Sequence, residues 1–396
     1  MTIDTQSYSA TWVAITALMA FVLFLRSEGL HPLSLYGMAC GAVVTWVTNT
    51  IAGPNNDPLQ FKPEQFMYVL LPPIVLNSGL TFDWRKSQGT FGTSMILAWF
   101  GTVGTALWIA LGLWAIEDVE PWIVAFWIGS ILSPTDPVGT LAQMKQLGES
   151  PIRLVLEHES LLNDAVAVML VHTSERTWEQ QASMTKTETM EVIAVTLGLT
   201  CLASLIGVIM AMFMTTKLHE NAVFCLVTGM FVFALCETIG ASGIIGLFVY
   251  GAVFNYRVEH QETKTVVQCI ADFSETYVYI TMGGVVVQTS FEFSSMGVTA
   301  IIAAYVGRII NVFFFSGVAR IGGVKWDLKQ TIFMSVCGMR GAVSLALAVS
   351  APASLRPMMV TITVMEVIFS MISTSIGVKW CLRYLLSTND STGVKR

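Results

Sequence analysis

Apolar runs long enough to cross a lipid bilayer recur from one end of this 396-residue chain to the other. About twenty residues of helix span the ~30 Å hydrocarbon core, and no polar stretch between the runs is long enough to form a soluble domain. The chain is 54% hydrophobic and only 12% charged, with a mean hydropathy of +0.65; a soluble domain carries about twice that charge. Lipid offers no hydrogen-bond partner to an unpaired backbone, so runs of this length read as helices. The fold class expected is an all-α integral membrane protein, one membrane domain over 1–396.

Thirteen spans are legible: 11–25, 32–52, 65–80, 92–116, 121–143, 152–173, 191–215, 221–239, 242–255, 272–289, 296–318, 330–350 and 358–386. The longest loop expected, 174–190, is polar and acidic. An odd number of spans puts the termini on opposite sides. With the N-terminus outside, the inner loops and tail hold fifteen Lys and Arg and the outer loops four, while Arg308 and Arg340 lie inside spans. That bias places the C-terminus in the cytoplasm and makes the cell membrane the expected location. Residues 1–10 lack Lys and Arg, and no cleavage site follows the first run, so no signal peptide is expected. The seven cysteines fall in or beside apolar runs without CxxC pairs. They read as small buried hydrophobes rather than disulfides or metal ligands.

Two spans are interrupted. The fifth contains Ser133-Pro134-Thr135-Asp136-Pro137, and the twelfth contains Gly338-Met339-Arg340-Gly341. Their offset of seven spans relates them by inversion across the membrane. A first six-helix repeat over 11–173, a linking helix at 191–215 and an inverted repeat over 221–386 follow. Paired broken helices at matching places in two inverted halves point to a transporter's central site, whereas proline kinks without a function would need no such pairing.

Span 6 carries Glu157-His158-Glu159-Ser160-Leu161-Leu162-Asn163-Asp164. At about 100° per residue, Glu159, Asn163, Ser160 and Asp164 share one arc, and apolar residues fill most of the remainder. A carboxylate at that depth is costly unless paired, hydrated or protonated, and is functional by default. Asp164 is the expected carrier, a single carboxylate for which H⁺ and an alkali cation compete. Asn163 does not titrate, which implies one cation per H⁺ and no net charge movement. Na⁺ is a hard cation that takes oxygen ligands; Asp164, Ser160, Glu159 and carbonyls freed at Thr135–Asp136 are the candidates. Glu159 needs a countercharge, with Arg308 and Arg340 both available, and Glu237, Glu275 and Glu366 are further embedded acids that would pair with Arg340 or line a path.

Enzyme readings fare poorly. His158-Glu159 begins an H-E-x-x-H zinc motif, but the fifth position is Leu162, and no nucleophile elbow or phosphate loop is present. His158 lies across the helix from Asn163 and Asp164 and reads as a packing residue.

Four motifs in order carry a resemblance: Leu70-Leu71-Pro72-Pro73-Ile74, Thr135-Asp136-Pro137, Glu159-Ser160-Leu161-Leu162-Asn163-Asp164, and Gly338-Met339-Arg340-Gly341-Ala342-Val343. Over essentially its whole length the chain resembles the monovalent cation/proton antiporters, in the Na⁺/H⁺ exchanger branch with NhaP-like members. The resemblance implies two inverted repeats whose broken helices 5 and 12 cross near the midplane, a homodimer, and an elevator-like motion of a core domain against a dimerisation domain. It implies ion and proton binding at Asp164, an electroneutral Asn163–Asp164 pair, a Glu159–Arg308 ion pair, and Thr135, Asp136 and Ser160 around the ion. One departure stands out: many relatives carry an acid where this chain has Asn77, which touches cation preference. The chain stops at Arg396, so a long regulatory tail is not expected. No cofactor or nucleic-acid partner is expected; the partners are Na⁺ (or Li⁺), H⁺ and the bilayer. The alternatives are K⁺/H⁺ exchange by the same architecture and, from another class, a cation channel or sensor.

Overall fold

All thirteen apolar runs contain helix in the computed structural model, which describes residues 17–22, 33–52, 59, 61–136, 151–179, 186–217, 221–258, 260–290, 292–321 and 328–389. Residues 17–22 belong to α1 and Leu33–Ala52 form α2. Pro63–Gln65, Phe66–Leu70 and Leu71–Thr81 run on as α3, and Phe91–Ile96, Leu97–Gly101 and Thr102–Glu117 as α4. There follow α5 (Trp122–Leu132), α6 (Pro151–Glu179), α7 (Lys186–Lys217), α8 (Ala222–Thr238), α9 (Gly243–Arg257), α10 (Gln261–Gln288) and α11 (Ser294–Ile321). Span 12 is split into α12a (Leu328–Val336) and α12b (Ala342–Ser350), and α13 is Arg356–Asn389. No strand occurs among the described residues. The second half of span 5, from Pro137, lies outside them.

Two expectations are corrected. The long loop over 174–190 is shorter, because α6 continues to Glu179 and α7 begins at Lys186; span 10 likewise starts at Gln261 rather than 272. Hydropathy marks only the part of a helix inside lipid, and Glu175, Arg176, Gln261, Glu262 and Lys264 are good helix formers that carry the helices into water.

Starts and irregularities have local causes. Asn221, Ser242 and His260 cap α8, α9 and α10 by accepting backbone N–H bonds, as short polar side chains at helix starts do. The widened π turn Phe66–Leu70 precedes Pro72 and Pro73, which have no N–H for the carbonyls of Tyr68 and Val69. A second π turn, Leu97–Gly101, leaves the Gly101 carbonyl to Asn311 Nδ2 of α11 at 3.0 Å. Asn311 Nδ2 also reaches Thr105 Oγ1 at 3.0 Å, which ties α4 to α11.

The helices divide into two packing groups. α2, α3, α7, α8, α9 and α10 pack chiefly on one another, and Met19 and Val22 of α1 join them against Ile280. α4, α5, α6, α11, α12 and α13 form the second group. Large apolar side chains such as Trp46, Phe100, Phe213, Phe314 and Trp380 are exposed on the outer faces, as lipid contact requires. All seven cysteines are free thiols.

Backbones approach most closely between α2 and α10. A Cβ on Gly41 would overlap the Ile280 carbonyl, and one on Gly283 would overlap Met38 and Ala42 backbone atoms. Small residues at such a crossing let van der Waals packing hold membrane helices together. Gly41→Val is therefore expected to cost at least the ~1–3 kcal/mol typical of overpacking, read as a lower unfolding temperature in detergent; an unchanged temperature would contradict this packing.

Candidate functional site

Where α5 and α12 stop being helical, each takes up the backbone groups the other releases. Ser133–Asp136 and Cys337–Gly341 are both non-helical. The Asp136 N–H donates to the Met339 carbonyl at 2.6 Å. Arg340 Nη1 donates to the carbonyls of Ser133 at 2.7 Å and Pro134 at 3.0 Å. The Arg340 N–H is held by Ser370 Oγ of α13 at 2.9 Å. Arg308 of α11 does the same for α12a, its Nη2 donating to the Met334 and Cys337 carbonyls at 3.3 and 3.2 Å. A Cβ on Gly341 would run into the Asp136 carboxylate, so glycine is what lets the breaks touch.

Both buried guanidiniums have carboxylate partners. Arg308 makes a two-pronged contact with Glu159, Nη1 to Oε1 and Nη2 to Oε2, the latter at 3.1 Å. Arg340 Nε lies 3.6 Å from Oε1 of Glu366, which is fully buried on α13. The choice left open by the sequence is thereby made: Glu159 goes with Arg308, and Glu366 with Arg340. Glu237 instead accepts the Gly243 N–H at 2.8 Å, capping α9.

Thr135, Ser160 and Asn163 converge beside these pairs. Thr135 Oγ1 and Ser160 Oγ are 3.0 Å apart, and Asn163 Nδ2 donates to Thr135 Oγ1 at 2.8 Å. All three are buried, and the Asn163 Oδ1 has no hydrogen-bond partner. These side chains join the α5 break to α6.

Asp164 is placed differently. It is half-buried and borders a cavity of ≈ 310 Å³ in the cleft between the two helix groups. Among the described residues, Asp136, Glu157, Asp272 and Glu275 share that wall with Asp164, against one cation, Arg153. Such a surplus of acid focuses cations into a low-dielectric cleft. Exposed Thr81 and Gln268 sit at its rim, at the ends of α3 and α10 that adjoin Lys- and Arg-bearing loops. Asn77 is also on the wall, and its Oδ1 has no partner.

A second cavity of ≈ 300 Å³ lies toward the other end of α6, bordered by Ala165, Val166, Met169, His172 and Arg176. Asp164 borders the first cavity, and Ala165 and Val166 border the second.

Of the residues singled out in the sequence, Thr135, Ser160, Asn163, Glu159, Arg308 and Arg340 are thus gathered into a buried, hydrogen-bonded junction, and Asp164 and Asp136 line the adjacent cavity. Both Glu159 oxygens are engaged by Arg308, whereas the Asp164 carboxylate borders the cavity. His158 is buried 4.7 Å centroid to centroid from Phe82, 3.4 Å from Ser87 Oγ, in the packing role expected. Tyr279 had no signal in the sequence. It is an aromatic in an apolar helix, yet its hydroxyl reaches Asp136 Oδ2 at 2.7 Å.

In sequence and in overall fold the chain is similar to known proteins. The family profile described as "Sodium/hydrogen exchanger, transmembrane" matches residues 13–384. Sodium/hydrogen exchanger 8 of Rattus norvegicus is 24% identical over 390 residues, covering 91% of this chain and 68% of that one. The low-affinity Na⁺/H⁺ antiporter NhaS1 of Synechocystis is 26% identical over 352 residues, covering 83% and 66%. In fold, the chain is similar to the sodium proton antiporter MjNhaP1 of Methanocaldococcus jannaschii, with TM-score 0.73, 18% identity, and 96% and 98% of the two chains covered.

The Glu159–Arg308 pair yields a prediction. Removing one partner leaves the other charged and buried, at a cost of about 3–5 kcal/mol. Glu159→Gln and Arg308→Met should each lower the unfolding temperature in detergent, Arg308→Met more, because it also releases two carbonyls. The double variant should lose less than Arg308→Met alone. Additive losses would refute the pairing.

Proposed function

Since the chain belongs to the sodium/hydrogen exchanger family, it exchanges Na⁺ for H⁺ across the membrane it spans, and we propose that Asp164 is the group for which the two ions compete. It is a transporter and not an enzyme; the ions are its substrates and it uses no cofactor. The observation that carries the assignment is the position of Asp164: a carboxylate on the wall of an acid-lined cavity, with a second cavity toward the other end of the same helix.

A carboxylate so placed can release H⁺ and accept a cation while open to one face only. Na⁺ arriving through the cavity meets the Asp164 and Asp136 carboxylates, with the unpartnered Asn163 and Asn77 oxygens nearby as further hard donors. Thr135 and Ser160 hydroxyls complete the oxygen-rich surroundings, and Glu159, held by Arg308, contributes charge. One titrating carrier gives one H⁺ per Na⁺ and electroneutral exchange.

The cavity's rim belongs to helix ends adjoining the Lys- and Arg-rich loops. With positive-inside orientation it opens to the cytoplasm, the N-terminus lies outside and the C-terminus inside a cell membrane. Helices 1–3 and 8–10 fall in one packing group and 4–6 and 11–13 in the other, the division that two inverted six-helix repeats would produce. Both cavities lie in the cleft between the groups, so sliding of the α4–α6 and α11–α13 core against the scaffold would close one and open the other. Exposed apolar faces of α2 and α7 on the scaffold offer area for a homodimer.

In proteoliposomes with an internal pH dye, Na⁺ should move H⁺ in the wild type, and Asp164→Asn should abolish that movement while leaving the unfolding temperature within a few degrees. Normal Na⁺-coupled dye recovery in that variant would remove Asp164 as carrier. A K⁺ diffusion potential of either sign should leave the initial wild-type rate unchanged; a rate that follows the potential would contradict one-for-one exchange.

A further inference from the structure

Tyr279 and Asp136 stand on opposite sides of the cleft. Tyr279 is on α10, and α10 is fixed to the scaffold by its glycine crossing with α2; the Cβ of Tyr279 itself would lie 3.0 Å from a Cβ placed on Gly37. Tyr279 is only 3% exposed, so its ring has little freedom to move away from that crossing. Asp136 is fixed just as firmly to the core. Its N–H is held by Met339, the carbonyls just before it by Arg340, and its side chain packs against Gly341. Neither residue can follow the other if the groups slide. Their 2.7 Å hydroxyl–carboxylate bond therefore exists with the Asp164 cavity in its present shape and must break when that cavity closes.

We propose that Tyr279 is a positioning residue that latches the core to the scaffold in the cavity-open conformer, through the carboxylate of Asp136. The inference rests on the sliding exchange mechanism above and adds to it a residue that sets the balance between its two end states. The tyrosine hydroxyl donates and Asp136 Oδ2 accepts. A hydrogen bond to an ionised group inside a protein is worth on the order of tenfold in an equilibrium constant. The apparent affinity for an ion from one face falls with the fraction of molecules open to that face. Removing the hydroxyl therefore weakens Na⁺ recognition from the cavity face and strengthens it from the other. The ratio of the two half-saturating concentrations carries the whole change, however the wild-type population is divided.

A different role gives a different pattern. Were the hydroxyl an ion ligand, its loss would weaken recognition from both faces together. Were it packing alone, neither would move, because Phe keeps the ring.

The test is Tyr279→Phe in the full chain, in right-side-out and everted membrane vesicles, with Na⁺ titrated on one face at a time at fixed pH gradient. The half-saturating Na⁺ concentration is expected to rise on the cavity face and fall on the opposite face, with their ratio changing on the order of tenfold. Shifts in the same direction, an unmoved ratio, or loss of exchange in a variant that unfolds at the wild-type temperature would each overturn the latch. Tyr279→Leu, which also lacks the hydroxyl, should change the ratio in the same direction, and an opposite change would overturn it too. Wild-type vesicles without Na⁺-driven H⁺ movement would instead remove the exchange reading, so the two failures are distinguishable.

Discussion

Backbone that stops being helical inside a membrane must find its hydrogen bonds within the protein, and the centre of this molecule is arranged around that requirement. α5 and α12 are both broken, and neither break is tolerable alone. Arg340 reaches from one break to the carbonyls of the other, and Arg308 reaches from α11 to the carbonyls at the end of α12a. Two guanidiniums in the middle of an apolar fold then need two carboxylates, which Glu159 and Glu366 provide. Such pairs add little stability compared with a well-packed apolar core. Their role here is to make irregular backbone possible at the centre of the helical bundle.

With those charges matched, Asp164 and Asp136 remain beside the cleft. Their carboxylates add to a wall that also carries Glu157, Asp272 and Glu275, and a low-dielectric cleft lined by acids draws cations in. The buried Thr135–Ser160–Asn163 contacts fix α6 against the α5 break, so Asp164 keeps its place relative to the crossover.

Much of this was legible in the sequence, because lipid imposes a simple code. Span length and the two interruptions each report a constraint acting on a short stretch of chain, and the helices and breaks appear where those signals put them. The acids and arginines of the crossover were also visible, since charge in an apolar run is conspicuous. What the sequence withheld was pairing. Glu366 and Glu275 look alike in one dimension, yet one faces Arg340 and the other a cavity wall. Tyr279 looks like any aromatic in an apolar helix until α10 is seen across the cleft from Asp136. Helix extensions into water, as at Glu179 and Gln261, escaped because hydropathy measures the lipid and not the helix.

The wide turn at Phe66–Leu70 has a bearing on the ion route. A π turn amounts to one extra residue in an α-helix, and each residue is worth about 100° of rotation. Everything in α3 beyond Leu71 is thus wound round by that angle relative to the half before it, and in this phase Asn77 and Ser78 line the cavity beside Asp164. Losing a single residue from the turn would leave Pro72 and Pro73 against carbonyls they cannot serve and swing Asn77 and Ser78 about 100° away from that cavity.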